Sequence, residues 1–239
     1  MAVQFLASGD TGLTVQFGFD VDRALSAQIM ALRAAVDDAG LAGVIETVPT
    51  YRSLLVHYNP METSQSKLIA ALKPMIAQLD SGKNDKARTF SLPLCWEGDF
   101  ATDLTHVADF AKMSPEEVIS VITQTDYFIY MLGFAPGMPY MGDLPEALNI
   151  PRKKVPVKRV EKGSVMVATG LTVIYPSANP TGWHVVGRCP VPVFDLGRAD
   201  PVLLSPGDRV RFRAVDGAEF ADIEGRVADG RFDLEELAG

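Results

Sequence analysis

The side chains equipped to grip a ligand concentrate between Gly133 and Arg188. The run Gly133-Phe134-Ala135-Pro136-Gly137-Met138-Pro139-Tyr140 mixes glycine, proline and aromatics, a composition that stiffens a loop and lets a ligand come close to its backbone. A loop that only closes a barrel would have the same composition. Further on, Pro151-Arg152-Lys153-Lys154 opens a stretch in which Lys158, Arg159 and Lys162 add more positive charge. A solvated charged face is the ordinary explanation. The functional one is that Arg152 projects into a cleft and grips a carboxylate or phosphate through paired N–H bonds, as guanidinium geometry allows. Ile174-Tyr175-Pro176 and Asn179-Pro180-Thr181-Gly182-Trp183-His184 then set a tyrosine and a tryptophan beside turn residues, close to Gly187-Arg188. Large aromatics in loops commonly plug a core, but beside an arginine they also wall pockets for small polar ligands.

Other chemistries find little support. There is no GxxxxGK[ST] loop for nucleotide phosphates, no GxGxxG, no GxSxG and no HExxH. His57, His106 and His184 stand apart in the chain from one another and from Cys95 and Cys189, so neither a zinc site nor a Cys-His nucleophile is expected. No residue is singled out for a chemical step. A net charge of −8 over 239 residues argues against nucleic acid and anionic membranes, which select basic surfaces. The start, MAVQFLASGD, lacks the basic and apolar segments of a secretion signal. The uncharged stretch from Tyr127 to Gly142 is too short and too broken by Gly and Pro to span a bilayer. Two distant cysteines fit reduced thiols. A soluble, cytoplasmic protein is expected.

The elements that must hold these residues fall into two groups. Leu13 to Phe17 alternates like a half-buried strand. A helix should follow, with Asp20 as cap, Leu25, Ile29, Leu32 and Val36 on one face, and Gly40 as a left-handed stop. Val44 to Val48 and Ser53 to Tyr58 read as a hairpin, and Thr63 to Leu79 as a second helix that Pro74 should kink or restart. With one more strand this order makes a ferredoxin-like α+β sandwich. The polar stretch Ser81 to Lys86 has linker composition, which divides the chain into residues 1–83 and 84–239. In the second part Thr89 to Cys95 is strand-like, and a short helix is expected over Asp103 to Lys112. Ser114-Pro115-Glu116-Glu117 is a capping box opening a helix to about Thr125. Beyond it the pattern is almost wholly β: Phe128 to Leu132, Ser164 to Ala168, Leu171 to Tyr175, His184 to Val186, Val191 to Phe194 and Arg209 to Arg213, punctuated by Gly and Pro. Many short strands suggest a closed or nearly closed barrel.

Taken together, Gly133-Phe134-x-Pro136-Gly137-x-Pro139-Tyr140, Pro151-Arg152, Gly163-Ser164-Val165, Ile174-Tyr175-Pro176 and Gly182-Trp183-x-x-x-Gly187-Arg188 resemble the family of the 5-oxoprolinase B-type subunit. That family is also called allophanate hydrolase subunit 1 or KipI-like. Gly9-Asp10 and Val48-Pro49-Thr50 extend the resemblance into the first part of the chain. It implies a ferredoxin-like domain over 1–83 followed by a cyclophilin-like β-barrel over 84–239. It further implies a role as one component of an ATP-dependent complex that opens 5-oxoproline to glutamate, inactive alone. The partners would be a C-type or KipA-like protein and a third hydrolase subunit, with ATP bound at a site not visible in this chain. The resembling residues offered for substrate binding are Phe134, Tyr140, Arg152, Tyr175, Trp183 and Arg188, with no metal. Other members of the resemblance imply a carboxyltransferase half of a biotin-dependent urea pathway enzyme, or an inhibitor of a histidine kinase. A cyclophilin-like fold raises prolyl isomerase activity by analogy alone. The chain departs from the family pattern at Ile122, Val157, Thr169, Leu171, Val173 and Thr181, changes expected to strip polar or flexible groups from the ligand surface and to leave the substrate open.

Overall fold

The computed structural model describes residues 3–79 and 87–239. The chain divides into two compact units, Met1–Lys86 and Ala87–Gly239. The linker expected at Ser81 to Lys86, and with it the boundary after residue 83, lies outside the described residues.

The first unit starts with strands β1 (Gln4–Ala7) and β2 (Gly12–Gln16). Helix α1 (Arg23–Ala39) follows, then β3 (Val44–Pro49), β4 (Ser53–Tyr58) and helix α2 (Gln65–Ala77). Period-two alternation buries Leu13 and Val15 of β2 and Leu54, Val56 and Tyr58 of β4 on one face. Against that face α1 packs Ile29, Leu32 and Val36, and α2 packs Leu68 and Leu72. Asp22, rather than Asp20, caps α1 by accepting from the Leu25 amide at 2.8 Å, and Gly40 ends it at φ 54°. Pro74 neither kinks α2 into two nor restarts it; one helix runs through it. The sheet order is β1-β2-β4-β3, antiparallel throughout. This is the ferredoxin-like arrangement with one change of connectivity. The edge strand that would come after α2 is supplied instead by residues 4–7, ahead of β2.

The second unit carries a seven-stranded sheet built from β5 (Thr89–Leu94), β6 (Tyr127–Leu132), β7 (Pro139–Gly142), β9 (Ser164–Ala168), β10 (Leu171–Ile174), β12 (His184–Arg188) and β13 (Arg209–Ala214). Its order is β12-β9-β10-β7-β6-β13-β5. The two edge strands meet: the Cys95 amide donates to the Arg188 carbonyl at 3.0 Å, and the Arg188 amide donates to the Cys95 carbonyl at 2.7 Å. That bridge curls the sheet into a barrel. It depends on Gly187, where a Cβ would stand 2.5 Å from Leu94 Cδ1 and 3.0 Å from the Cys95 carbonyl oxygen. A separate ribbon pairs β8 (Val157–Val160) with β11 (Asn179–Thr181). Helices α3 (Leu104–Ala111) and α4 (Pro115–Gln124) place Val107, Val118 and Ile122 in the main core with Leu92, Ile129, Val165, Val167 and Val186. The capping box at Ser114 forms in both directions.

Two further expectations fail, both in the second unit. Val191 to Phe194 is not a regular strand; it is buried chain with one bridge, Phe194 to Val202. A helix that the sequence reading missed, α5 (Gly217–Ala228), follows β13 and buries Phe220 and Ile223. Gly217 at its first position and Gly225 inside it weaken the helical propensity of a segment whose apolar face is short.

Candidate functional site

Strand β9 is buried on both faces. Val165 and Val167 belong to the main core, whereas Met166 and Ala168 point to a second cluster with Met138, Val173, Tyr175, Trp183 and Val185. Five of the six residues singled out in the sequence gather on or around that second cluster. The 133–138 loop between β6 and β7 is tied by its own amides, Gly133 donating to Met138 and Met138 to Ala135. It holds Phe134 in the left-handed region at φ 66°, a costly conformation for a bulky residue, and leaves that residue 69% exposed. That ring stacks on Tyr175 at 6.0 Å, and Tyr140 meets Trp183 edge-on at 6.2 Å. The Arg152 guanidinium lies 5.4 Å over the indole of Trp183. Burial pushes the Tyr140 hydroxyl up, reinforced by Tyr175 and partly offset by Arg152.

Tyr175 and Trp183 are only 4% and 5% exposed. They form the floor that carries Phe134 and Arg152, which are exposed, while Tyr140 is half-buried beside them. Thr181 fixes both floor residues: its hydroxyl oxygen accepts from the Tyr175 hydroxyl and from the Trp183 amide, each at 3.0 Å. Arg188 stands elsewhere. Its guanidinium covers the Phe100 ring at 4.8 Å beside the barrel seam, and no described contact joins it to the other five.

Arg152 also borders a cleft of about 530 Å³, within the range of small-molecule sites. One wall is α3, which presents His106 and Phe110 one turn apart, and the other is the Ile150 to Val155 segment with His184 of β12. The 151–154 segment is anchored from below. Lys153 donates its backbone amide to the Gly182 carbonyl at 2.7 Å and its ammonium to Asp103 at 2.7 Å. The same Asp103 oxygen accepts from the Val185 amide at 2.8 Å. No carboxylate lines the cleft, while Arg152, Lys153 and Lys154 do, so it is a positive locale in a chain of net charge −8.

Two of the three histidines, far apart in sequence, are brought together. The His106 and His184 rings meet at a tilt of 34° with centres 5.2 Å apart. His184 is 3% exposed, and its Nε2 lies 2.9 Å from the Pro151 carbonyl oxygen. Burial is the main cause of a pKa below its ordinary 6.5. Its Nδ1 is buried without a hydrogen-bond partner among the described residues. No local motif announces the pair, because its members come from helix α3 and strand β12.

Both thiols are buried, and desolvation pushes Cys189 up to about 12. Among the described residues no group of three His, Cys, Asp or Glu side chains stands ready for a metal. No described helix is long and apolar enough to cross a membrane.

The family model of the carboxyltransferase domain, subdomains C and D, matches residues 3–204. The chain belongs to that family. Members similar to it include the 5-oxoprolinase B subunit of Bacillus subtilis (strain 168), 32% identical over 214 residues, covering 85% of this chain and 89% of the relative. The crystal structure of TTHA0988 superposes with a TM-score of 0.77 at 34% identity; the match takes in 86% of this chain and only 40% of that one. The Kluyveromyces lactis urea amidolyase structure, at 21% identity, shares the fold with a TM-score of 0.79 over 98% of this chain and 16% of its own. Within this carboxyltransferase-family frame, the departures at 122, 169, 173 and 181 take on definite places. Ile122 and Val173 are wholly buried, so they alter packing and not a ligand surface. Thr169 and Gly170, at φ 51° and 76°, form the two-residue turn between β9 and β10. Thr181, where the loss of a polar or flexible group was expected, brings a hydroxyl that holds Tyr175 and Trp183.

Proposed function

We propose that this chain is the B-type subunit of an ATP-dependent complex that opens a lactam, 5-oxoproline, to glutamate. The supporting observation is its 32% identity to a 5-oxoprolinase B subunit along 89% of that relative. The positive cleft beside Arg152 suits the carboxylate of such a substrate. The lining contains no glycine-rich turn at a helix start, so the phosphates of ATP are assigned to another subunit, as is the chemical step. The companions are a C-type or KipA-like protein and a third hydrolase subunit, in the cytoplasm. Mixing the purified chain with those partners, ATP and 5-oxoproline should release glutamate, and the chain alone should release none. Turnover by the single chain, or none by the full mixture, overturns the reading.

The description of the family as a carboxyltransferase domain favours one second reading, a module serving a biotin carrier. Avidin should abolish activity of the assembled complex if that reading holds and leave it untouched if the lactam reading does.

A further inference from the structure

The orphaned nitrogen of His184 specifies a ligand more narrowly than charge alone. A backbone carbonyl can only accept, so the 2.9 Å contact to Pro151 fixes the hydrogen of neutral His184 on Nε2. The lone pair therefore sits on Nδ1, which is buried and unmet among the described residues. A buried acceptor in that state is destabilising, and a donor entering the cleft would relieve it. The protein supplies no such donor among the described residues. Around the ring, Asp103 is taken by Lys153 and the Val185 amide, and His106 makes a ring contact. Arg152 and Lys154, in contrast, line the same cleft and take part in no ion pair among the described residues. Phe110, at 46% exposure, and Val155, at 80%, add apolar surface at its mouth.

We propose that this cleft binds a small carboxylate that also carries an N–H donor, with Arg152 holding the carboxylate and Nδ1 of His184 accepting from the N–H. A phosphate monoester dianion or a simple monocarboxylate, which has no hydrogen to donate, would satisfy the cations and leave the imidazole unmet. A neutral amide would do the reverse. His184 is thus a specificity residue that tests for an amide hydrogen beside the anion.

The choice of a ring compound as probe rests on the lactam reading above; the pairing of anion and donor does not. Four probes titrated into the intact chain separate the two: 5-oxoproline, its lactone analogue with ring oxygen in place of N–H, 2-pyrrolidinone without the carboxylate, and open-chain N-acetylglycine. Calorimetry gives affinity, and the ¹⁵N resonance of His184 Nδ1 reports the hydrogen bond directly. Either 5-oxoproline or N-acetylglycine should bind and shift that resonance. Removing the N–H or the carboxylate should each weaken binding by about 10-fold or more. Arg152→Ala, at an exposed position, should abolish the advantage of 5-oxoproline over 2-pyrrolidinone. Binding of N-acetylglycine without 5-oxoproline supports the inference and counts against the lactam reading. A lactone that binds as tightly as the lactam, an unmoved Nδ1 resonance, or no binding by any probe overturns the inference, and turnover in the assembled complex then still decides the lactam reading.

Discussion

The barrel seam gives the sharpest test of how the second unit is held together, because one chemical change made at two glycines should have opposite signs. At Gly187 a methyl group would lie 2.5 Å from Leu94 Cδ1 and 3.0 Å from the Cys95 carbonyl oxygen. Leu94 is fully buried, and the Cys95 oxygen is held by the 2.7 Å bond from the Arg188 amide, so neither neighbour yields freely. Overpacking of this kind costs about 1–3 kcal/mol. In a unit the size of Ala87–Gly239 each kcal/mol moves Tm by about 2–4 °C, so Gly187→Ala should lower it by about 2–12 °C. Gly225, inside α5, has nothing within 4 Å of the same methyl position. Gly225→Ala should therefore stabilise by about 0.5–1 kcal/mol, raising Tm by about 1–4 °C. Both tryptophans, Trp96 and Trp183, lie in this unit, so tryptophan fluorescence on heating follows its unfolding alone. A Gly187→Ala protein that melts at or above the parent temperature would falsify the account of the seam.

Two further perturbations address the ground beneath the cleft. Asp103 joins Lys153 to the Val185 amide, so Asp103→Ala should cost about 2–3 kcal/mol in urea unfolding, and Lys153→Met less, because the backbone contact survives; equal losses would mean that the amide bond contributes nothing. His184 is neutral in the fold to a pH below its ordinary 6.5, mainly through burial, so in that window the unfolded chain binds the extra proton. Stability should fall as pH drops from 6.5 toward the folded value, by up to about 1.4 kcal/mol per pH unit, and His184→Gln should remove that component of the slope. An identical slope in the variant counts against a proton-free His184.

Elements whose periodicity and punctuation agree were readable directly. Leu25 to Val36 with Gly40, and Ser114 with Glu117, announced α1 and α4 because cap, face and stop coincide within one segment. The first unit lacked a strand in the sequence reading because Gln4–Ala7 is short, mostly exposed and so carries no alternation. The aromatic and guanidinium groups of the 133–183 region were recognisable by composition, yet their roles were not. Whether Trp183 is a wall or a floor depends on the loop laid over it, and of those rings Phe134 is the exposed one, with Tyr140 half-buried. The His106–His184 pair and the closure at Cys95–Arg188 bring together segments separated by most of a domain, and no local pattern encodes such meetings.

The borrowed edge strand of the first unit changes the order in which that unit can be assembled. In the usual arrangement the last strand must wait for the second helix to be made. Here every strand has left the ribosome by Tyr58, and α2 arrives afterwards to lay Leu68 and Leu72 on a finished sheet. The long-range pairing that slows most α+β units is thereby settled early in synthesis, and the described residues beyond α2 contribute no strand to the unit they leave.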